Sequence, residues 1–406
     1  MGNIGKNRCI LISGAGIAGL SAALELASRG WRIRIFEKAP VLSEVGAGLQ
    51  LAPNAMRHLQ RLGVAAALEP FSVTPENISL VDGRSARPLL TMGLNDITLA
   101  RWKYPYQVCH RADLQSALVE TVGKNPAIEL NLGAEVLSHK NSQDRVTAII
   151  KRNSETESVE GDYLLGCDGV WSTLRQRAGY DPARFSGYTA WRNTIPASAL
   201  PSSFLNALPQ QNAVSAWLGK NAHFIAYPVK AGEAFNFVAI IAGDNTGETW
   251  STSGDSQTLI NTFKDWSTPV REVISTAVKW TYWPLFEMAN ARFIADARTI
   301  LLGDAAHALT PFAAQGAAMA IEDAAALAVA LDQPNPTLAL QHFETVRKAR
   351  IDAAAKRGRM NRFAYHASGP FAMGRNLLFA NRPAENFLKD LDWLYGYDAI
   401  GAMQAR

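Results

Sequence analysis

The stretch ILISGAGIAGLSAALELASRGWRIRIFEK, residues 10–38, decides the fold of this chain. The apolar run Cys9–Ile12 predicts a buried strand, and the small and apolar residues after Gly16 predict a helix. Gly30 suits the end of that helix, where a left-handed backbone is common. The alternation of apolar and charged residues over Trp31–Phe36 predicts a second strand. The order of strand, glycine-rich turn, helix and strand indicates an α/β fold.

Three glycines at this turn form a G-x-G-x-x-G motif. Gly14 permits a tight turn, Gly16 lets a pyrophosphate approach the backbone, and Gly19 lets helix and strand pack closely. The phosphates would meet free N–H groups at the positive end of the helix. Glu37, which lies 18 residues after Gly19, can accept hydrogen bonds from both ribose hydroxyls. The motif alone also fits other α/β turns, but the elements together predict a bound dinucleotide, and the acid favours FAD or NAD over NADP.

Length and composition narrow the class of protein. A chain of 406 residues predicts two or three domains. No apolar run approaches the ~18 residues of a membrane span, and the N-terminal MGNIGKNRC lacks the apolar core of a signal peptide. We therefore expect a cytoplasmic protein without a membrane partner. The net charge of +4 without a Lys/Arg block predicts no nucleic-acid partner.

The three cysteines are far apart in the sequence. Cys9, Cys109 and Cys167 form no Cys-x-x-Cys pair, so the sequence predicts small core residues and no metal site.

Two further strand-to-helix turns carry an acidic residue. The apolar segment Asp162–Gly169 predicts a strand that ends at Asp168, and Ser172 can cap the helix that follows. A second predicted strand, Ile300–Leu302, ends in Gly303-Asp304. Gly316 then precedes an alanine-rich helix, Ala317–Leu331. Other predicted helices cover residues 53–68, 112–122 and 337–363, and residues 129–150 read as strand, turn and strand with a hairpin tip at 153–158.

A β-rich texture replaces this pattern between Ser186 and Phe286. Short runs separated by Pro, Gly and Asn predict an antiparallel sheet inserted as a second domain. These runs are Thr189–Ile195, Ala213–Leu218, His223–Val229 and Phe235–Ala242. Residues 78–102 read as strands and turns.

Two positions are ambiguous on the residues alone. Arg111 lies near a helix start, where the dipole disfavours a cation, so it either reaches an anionic group or is an ordinary surface arginine. Gly46 and Gly48 would let the backbone pass a flat ligand, or they belong to an ordinary loop.

The glycine turn with Glu37, the segment Cys167-Asp168-Gly169 and the pair Gly303-Asp304 occur in order along the chain. This set resembles the single-component (group A) flavoprotein aromatic hydroxylases, the para-hydroxybenzoate hydroxylase superfamily, over nearly the whole chain. The segments GAGLQLAPNA, CHRADLQSAL, GYTAWR and AAQGAAMAIEDAAALA are most similar to the branch with salicylate hydroxylase, 3-hydroxybenzoate 6-hydroxylase and 6-hydroxynicotinate 3-monooxygenase. Gln50 stands where some relatives carry a histidine.

The resemblance implies a Rossmann-like FAD-binding domain interrupted by a β-rich substrate domain, with C-terminal helices. The predicted FAD-binding parts are residues 1–77, 105–185 and 287–336, the substrate-domain parts are 78–104 and 186–286, and the helical region is 337–406.

The resemblance also assigns residues to the bound FAD. Glu37 would hold the adenosine ribose, Arg111 the phosphate and ribose region, and Val136 the adenine through its backbone. Asp304 would bind the ribityl or pyrophosphate part, and Asp168 would handle both flavin and pyridine nucleotide. Residues 311–316 would line the isoalloxazine, with the following helix stabilising negative charge on reduced flavin. The predicted cofactor-binding set is Gly14, Gly16, Gly19, Glu37, Lys38, Gly48, Arg111, Val136, Asp168, Gly303, Asp304, Pro311, Gly316 and Ala317.

The implied reaction is the hydroxylation of a small aromatic substrate, a phenol or hydroxy-aromatic acid. NADH, preferred over NADPH, would reduce FAD as a transient co-substrate, and dioxygen would then form a flavin C4a-hydroperoxide that attacks the ring. The protein would be a monomer or a homodimer.

His223 and Tyr227 are the predicted catalytic residues. If residues 221–228 form a strand, His223, Ile225 and Tyr227 share one face. Histidine can accept a phenolic proton near neutral pH, and Tyr227 can bind the substrate or orient the histidine. A lone histidine on a sheet is more often structural, but the likeness to a His-x-x-x-Tyr-Pro segment of the resembling branch favours catalysis.

Two other functions share the dinucleotide motif. One is a flavin dehydrogenase or reductase of a lipid or isoprenoid, and the other is a non-catalytic flavin-binding redox sensor. A flavin-dependent halogenase is disfavoured, because residues 191–196 read WRNTIP instead of W-x-W-x-I-P.

Overall fold

The glycine-rich turn lies at the middle of a parallel sheet in the computed structural model, which describes residues 8–42, 48–247, 252–277 and 279–404. Gly46 and the first seven residues lie outside this range. The strands, in chain order, are β1 (Cys9–Ser13), β2 (Arg32–Glu37), β3 (Gly48–Leu51), β4 (Asn77–Asp82), β5 (Pro88–Gly93), β6 (Gln107–His110), β7 (Ile128–Leu132), β8 (Ala134–Asn141), β9 (Val146–Arg152), β10 (Glu155–Gly161), β11 (Tyr163–Gly166), β12 (Arg184–Pro196), β13 (Ala213–Gly219), β14 (Ala222–Val229), β15 (Ala234–Ala242), β16 (Thr252–Asp255), β17 (Lys279–Glu287) and β18 (Thr299–Leu301).

The α-helices are interspersed with the strands up to β18, and among the described residues only helices follow that strand. They are α1 (Ile17–Ala27), α2 (Pro53–Arg61), α3 (Val64–Leu68), α4 (Asn95–Trp102), α5 (Arg111–Gly123), α6 (Thr173–Arg177), α7 (Ser202–Ala207), α8 (Ser256–Thr262), α9 (Thr268–Thr276), α10 (Asp304–His307), α11 (Gly316–Leu331), α12 (Pro336–Tyr365), α13 (Gly369–Asn381), α14 (Ala384–Lys389), α15 (Asp392–Tyr395) and α16 (Ala399–Gln404). Over these ranges, no helix is both long and apolar enough to cross a bilayer.

The parallel sheet has five strands in the order β18-β11-β1-β2-β7, and each neighbouring pair is parallel. The carboxyl ends of its strands therefore meet at one edge, where open α/β sheets bind their ligands. The three turns predicted to carry Gly14, Asp168 and Asp304 all lie at this edge. The α/β prediction is confirmed.

The β-rich segment forms most of an eight-stranded sheet in the order β16-β17-β12-β15-β14-β13-β4-β5. The strands of residues 184–287 pair with one another in antiparallel fashion, as predicted, and β13 in addition runs parallel to β4, which lies outside the predicted segment. The partner strand β4 comes from far earlier in the chain, so no short hairpin constrains its direction. The strands of residues 77–93 thus join those of residues 184–287, while the domain limits themselves stay a prediction.

The structure contains several short helices that the sequence did not predict. Residues 95–102 form a helix where strands and turns were expected, and α7, α8 and α9 interrupt the β-rich segment. Helices of six to nine residues span too few turns to show a helical period. The helix predicted over 53–68 is broken at Gly63, which is left-handed at φ +78°. The hairpin tip is shorter than predicted, since β10 already begins at Glu155.

A buried ion network joins α11 to α12. Glu322 and Asp323 are fully buried on α11, and Arg347 reaches both, with Nε 2.8 Å from Asp323 Oδ1 and Nη1 2.7 Å from Glu322 Oε2. Arg350 donates to Glu322 from Nη2 at 2.8 Å. Burial by itself raises the pKa of Glu322, but the charges of Arg350 and Arg347 outweigh this effect and lower the pKa to about 2. The network fixes the helix whose N-terminus reaches the site.

Candidate active site

Two joined cavities open at the carboxyl edge of the parallel sheet. The first has a volume of about 370 Å³ and the second about 250 Å³. Five residues line both cavities, and they mark the junction between them: Gly16, Arg111, Cys167, Gly169 and Arg192. A long ligand could therefore extend from one cavity into the other.

Most of the predicted cofactor residues line these cavities. The first cavity contains Gly14, Gly16, Glu37, Lys38, Arg111, Val136 and Asp168. The second contains Gly16, Gly48, Arg111, Tyr227, Asp304, Pro311, Gly316 and Ala317. Gly19, Gly303 and His223 line neither.

The three motif glycines are required for different steric reasons. A Cβ on Gly14, whose φ is +101°, would lie 2.4 Å from the Cys167 carbonyl oxygen. A Cβ on Gly19 would lie 2.0 Å from the Gly14 carbonyl oxygen. Both positions therefore require glycine for the chain to fold. A Cβ on Gly16 would meet no atom within 4 Å, so the absence of a side chain there leaves space on the cavity wall.

Glu37 holds the turn together through its carboxylate. Its Oε2 accepts a hydrogen bond from Ala15 N at 2.8 Å, and its Oε1 accepts one from Ala39 N at 2.9 Å. Each carboxylate oxygen has a second lone pair, so these bonds leave acceptor capacity toward the first cavity. The sequence predicted the position of Glu37 on the cavity and missed its bonds to the turn.

Asp168 lines the first cavity and uses one of its two carboxylate oxygens to hold the start of α6. Oδ2 accepts from Thr173 N at 2.9 Å at the start of α6, while Oδ1 is buried without a hydrogen-bond partner. Ser172 caps the same helix as predicted, with Oγ accepting from Arg175 N at 3.0 Å. A buried carboxylate oxygen without a donor is costly, so Oδ1 suits a ligand that brings a hydroxyl.

Asp304 reaches the second cavity from a turn that α11 holds in place. Gly303, at φ +58°, packs so closely that a Cβ would lie 2.9 Å from the Ala18 Cβ. Its N–H donates to Asp323 Oδ2 at 3.0 Å, and the same oxygen lies 2.5 Å from His307 Nε2. Gly303 therefore sets the turn, and the adjacent Asp304 supplies the side chain.

The second cavity lies between the glycine turn and the face of the large sheet. Gly48 donates from N to Asn236 Oδ1 at 2.7 Å, and a Cβ on Gly48 would lie 2.5 Å from the Tyr227 ring. Gly48 is therefore required for close contact with Tyr227. On the opposite wall α11 begins at Gly316, and the positive end of its dipole faces the cavity.

His223 lies on the cavity face of the sheet but beyond the cavity. It pairs with Ile240 across the strands, as Ile225 pairs with Val238. Ile225, Val238 and Ile240 line the second cavity, whereas His223 is fully buried among aromatic rings, with the Phe312 ring 5.4 Å away. Burial holds its pKa well below the usual value.

Arg192 lines both cavities and was missed from the sequence. Its Nε is buried without a hydrogen-bond partner, and its guanidinium lies 4.1 Å from the centre of the Trp283 ring. Burial lowers its pKa to about 10, so it stays cationic at neutral pH. The available signal was a charged residue beside Trp191 on a strand of the β-rich segment, since alternation places the two on opposite faces.

The three cysteine thiols are buried in an environment that disfavours reactivity. Cys9, Cys109 and Cys167 are all free and buried, as predicted, and burial raises the pKa of each. A raised pKa disfavours the reactive thiolate.

Comparison with known proteins agrees with this geometry. Residues 8–354 match a family described as FAD binding domain. The 3-hydroxybenzoate 6-hydroxylase 1 of Aquipseudomonas alcaligenes is 37% identical over 397 residues, which cover 96% of this chain and 98% of that protein. This chain belongs to the FAD-dependent aromatic monooxygenases. A further member is the 3-amino-4-hydroxybenzoate 2-monooxygenase PtnB3 of Streptomyces platensis, 34% identical over 96% of both chains.

Two solved structures share the fold. Klebsiella pneumoniae HpxO complexed with FAD and uric acid superimposes with a TM-score of 0.81 at 23% identity, over 97% of both chains. A salicylate hydroxylase substrate complex gives a TM-score of 0.80 at 22% identity, over 98% of this chain and 97% of that one.

The residues present fit an FAD of this family. Gly16 leaves an open cradle at the N-terminus of α1, where phosphate oxygens can meet backbone N–H groups. The unpartnered Asp168 Oδ1 suits a hydroxyl donor. The joined cavities then give an elongated cofactor one end near Glu37 and the other near Gly316.

Proposed function

We propose that this monooxygenase hydroxylates a small hydroxy-aromatic acid and uses NADH as its preferred reductant. The observation that carries the substrate class is the second cavity, where Arg192 offers a cation beside the apolar wall of Ile225, Val238 and Ile240. An aromatic acid has a flat apolar ring and a carboxylate, which match those two features. The similar enzymes named above are hydroxylases and monooxygenases of hydroxybenzoates, which favours the same class.

We propose the roles of the FAD-binding residues as follows. Glu37, Lys38 and Val136 would hold the adenosine end, and Gly14 and Gly16 would hold the pyrophosphate with Arg111. Asp168 and Asp304 would bind the central hydroxyls, and Gly48, Pro311, Gly316 and Ala317 would surround the isoalloxazine ring. FAD supplies hydride acceptance and activation of dioxygen when it is bound. The protein residues bind, orient and exclude water.

His223 is the proposed base that removes the phenolic proton. Its Nε2 is buried without a hydrogen-bond partner, which leaves a lone pair or a proton for a ligand. Its strand places it one alternate position beyond Ile225, on the same face of the sheet as residues that line the second cavity. A ring that loses its phenolic proton becomes richer in electrons and is hydroxylated more readily.

Tyr227 is the proposed orienting group for the substrate. Burial raises the pKa of its phenol above the ordinary value, so the hydroxyl keeps its proton and can donate. The ring is held by the close contact with Gly48. A rigid donor beside the substrate helps to fix which ring carbon reacts.

The experiment that tests this function is a screen of hydroxylated aromatic acids. The purified protein should be yellow with FAD, and one or more acids should stimulate NADH consumption and yield a hydroxylated product. Peroxide without product would favour the dehydrogenase or reductase alternative. Absence of any substrate-stimulated NADH oxidation would favour the redox sensor.

The His223→Ala variant tests the proposed base within the same assay. A general base contributes typically ~10²–10⁴-fold, so hydroxylation should fall by that range while FAD stays bound and peroxide rises. Near-wild-type hydroxylation and coupling in this variant across about pH 6 to 9, where the buried His223 is neutral and able to accept a proton, would contradict the assignment.

The reductant, the location and the assembly of the protein are also proposed. NADH preference rests on the motif likeness to the hydroxybenzoate branch, and stopped-flow reduction with NADH and NADPH would decide it. The cytoplasm is the proposed location. A monomer or homodimer is the proposed assembly, which light scattering of the purified protein would measure.

A further inference from the structure

A second histidine lies directly behind His223. The His223 Nδ1 atom is 2.8 Å from His366 Nε2, and the two ring centres are 5.0 Å apart. His366 follows the last residue of α12, 143 residues along the chain from His223. The pair therefore connects the large sheet to the C-terminal helices.

The surroundings hold both rings in place. The Asn221 N–H donates to the His366 carbonyl at 3.4 Å, which ties the end of α12 to the turn before β14. The Phe312 ring lies 5.4 Å from His223 and 5.6 Å from His366. The Tyr188 ring lies 5.3 Å from His366 on the remaining side.

No carboxylate is paired with either imidazole among the described contacts. The titratable and charged groups that face the pair are Tyr365 and Arg362 on α12 and Tyr188 on β12. Burial and then Arg362 lower the pKa of His366 to about 4. Both imidazoles are therefore neutral at pH 7, and a bond between two neutral imidazoles needs one N–H and one lone pair.

We propose that His366 is a positioning residue, whose Nε2 accepts the Nδ1–H of His223 and so keeps the His223 Nε2 lone pair toward the substrate. This inference rests on the proposed role of His223 as the base. The opposite arrangement would put the proton on His223 Nε2, where it could not accept another. The tautomer of His223 is thus set from outside the substrate cavity.

The same bond assists the proton transfer. When the substrate O–H proton moves to His223 Nε2, the ring becomes an imidazolium and keeps its Nδ1–H. That N–H then donates to His366 from a charged ring, and charge-assisted hydrogen bonds are roughly twice as strong as neutral ones. Burial, and then the charged form of His366, lower the pKa of His223, whereas a neutral His366 that accepts this hydrogen bond stabilises the imidazolium.

The test compares His366→Phe, His366→Gln and a control, His342→Gln, in the FAD-loaded enzyme. Phe removes the acceptor, Gln restores one near the same place, and His342 is exposed on the same helix α12. We expect hydroxylation by His366→Phe to fall by about 10- to 100-fold, the range that loss of an orienting partner costs at metal-binding histidines. FAD content and the KM for the substrate should change little, and more NADH should be diverted to peroxide.

The pH profile separates positioning from a structural role. Loss of the acceptor destabilises the protonated His223, so the acidic limb of the hydroxylation rate should move to lower pH by about one unit. His366→Gln should recover most of the rate and the limb, and His342→Gln should match the wild type. A wild-type rate, coupling and acidic limb in His366→Phe would overturn the inference.

A second measurement does not depend on turnover or on the variants. Nitrogen-15 NMR of the wild-type protein reports which ring nitrogen of His223 carries the proton. A proton on Nδ1 supports the inference, and a proton on Nε2 overturns it. If no aromatic acid is hydroxylated by the wild type, the proposed function fails in the substrate screen, while the NMR result still decides the tautomer.

Discussion

Replacing Gly16 by alanine should separate FAD binding from folding. The ideal Cβ at Gly16 meets no protein atom within 4 Å, and the backbone at φ −75° suits any residue. Gly16 is the N-cap of α1, a position where alanine is less favourable than glycine by roughly 0.5–1 kcal/mol. The free energy of unfolding of the FAD-free protein should therefore fall by no more than about 1 kcal/mol. The added methyl would nevertheless occupy the place of the pyrophosphate.

The cost to FAD binding follows from overpacking. Inserting a methyl group into a filled contact typically costs ~1–3 kcal/mol, which corresponds to a loss of about 5- to 150-fold in FAD affinity. Urea unfolding measures the stability of the FAD-free protein, and quenching of flavin fluorescence on titration measures the affinity. Gly123→Ala is the matched control, since its Cβ also meets no atom within 4 Å and it lies exposed at the end of α5. Wild-type FAD affinity in Gly16→Ala would refute the placement of the pyrophosphate.

Three further predictions concern the buried polar groups. Arg347→Met leaves Glu322 and Asp323 buried with a lost partner, so the free energy of unfolding should fall by about 3–5 kcal/mol in urea titrations; an unchanged midpoint would contradict this. Burial lowers the pKa of His58 from 6.5 to about 4, so the unfolded state binds more protons below pH 6.5 and stability falls as pH drops toward 4. Between pH 7 and pH 5 the free energy of unfolding of His58→Leu should therefore fall by about 2 kcal/mol less than that of the wild type, as measured by urea unfolding at both pH values. Tyr227→Phe should keep FAD but raise the substrate KM by about 2- to 12-fold, the value of one neutral hydrogen bond, and an unchanged KM would exclude the proposed contact.

Local motifs explain how much of the cofactor site could be predicted. Gly14, Gly16 and Glu37 belong to one βαβ unit whose spacing is set by a single turn, and the structure places all three on the first cavity. Asp168 and Asp304 follow buried strands, and parallel strands bring such residues to one edge. The predicted cavity residues are therefore those whose position depends on a nearby strand end.

The site residues that the sequence did not predict depend on contacts between segments that are distant along the chain. His366 lies just beyond the helix predicted over residues 337–363, and its approach to His223 depends on how α12 meets the large sheet. Arg192 stands on a strand with no local sign of which face the cavity would occupy. Short helices such as Asn95–Trp102 were missed because eight residues hold too little periodic signal.

The alanine-rich helix α11 shows how the fold and the site depend on each other. Most of its alanine and other apolar residues are buried, but its two acids at Glu322 and Asp323 make the specific polar contacts. Asp323 accepts hydrogen bonds from the Gly303 N–H and from Arg347. The turn that carries Asp304 is therefore fixed by α11, a helix that follows it in the sequence. Because an unpaired buried carboxylate costs several kcal/mol, the turn, α11 and α12 have to form together. The geometry at the predicted flavin position is therefore set by the cooperative packing of these three segments. The glycine motif forms only one wall of the cavity.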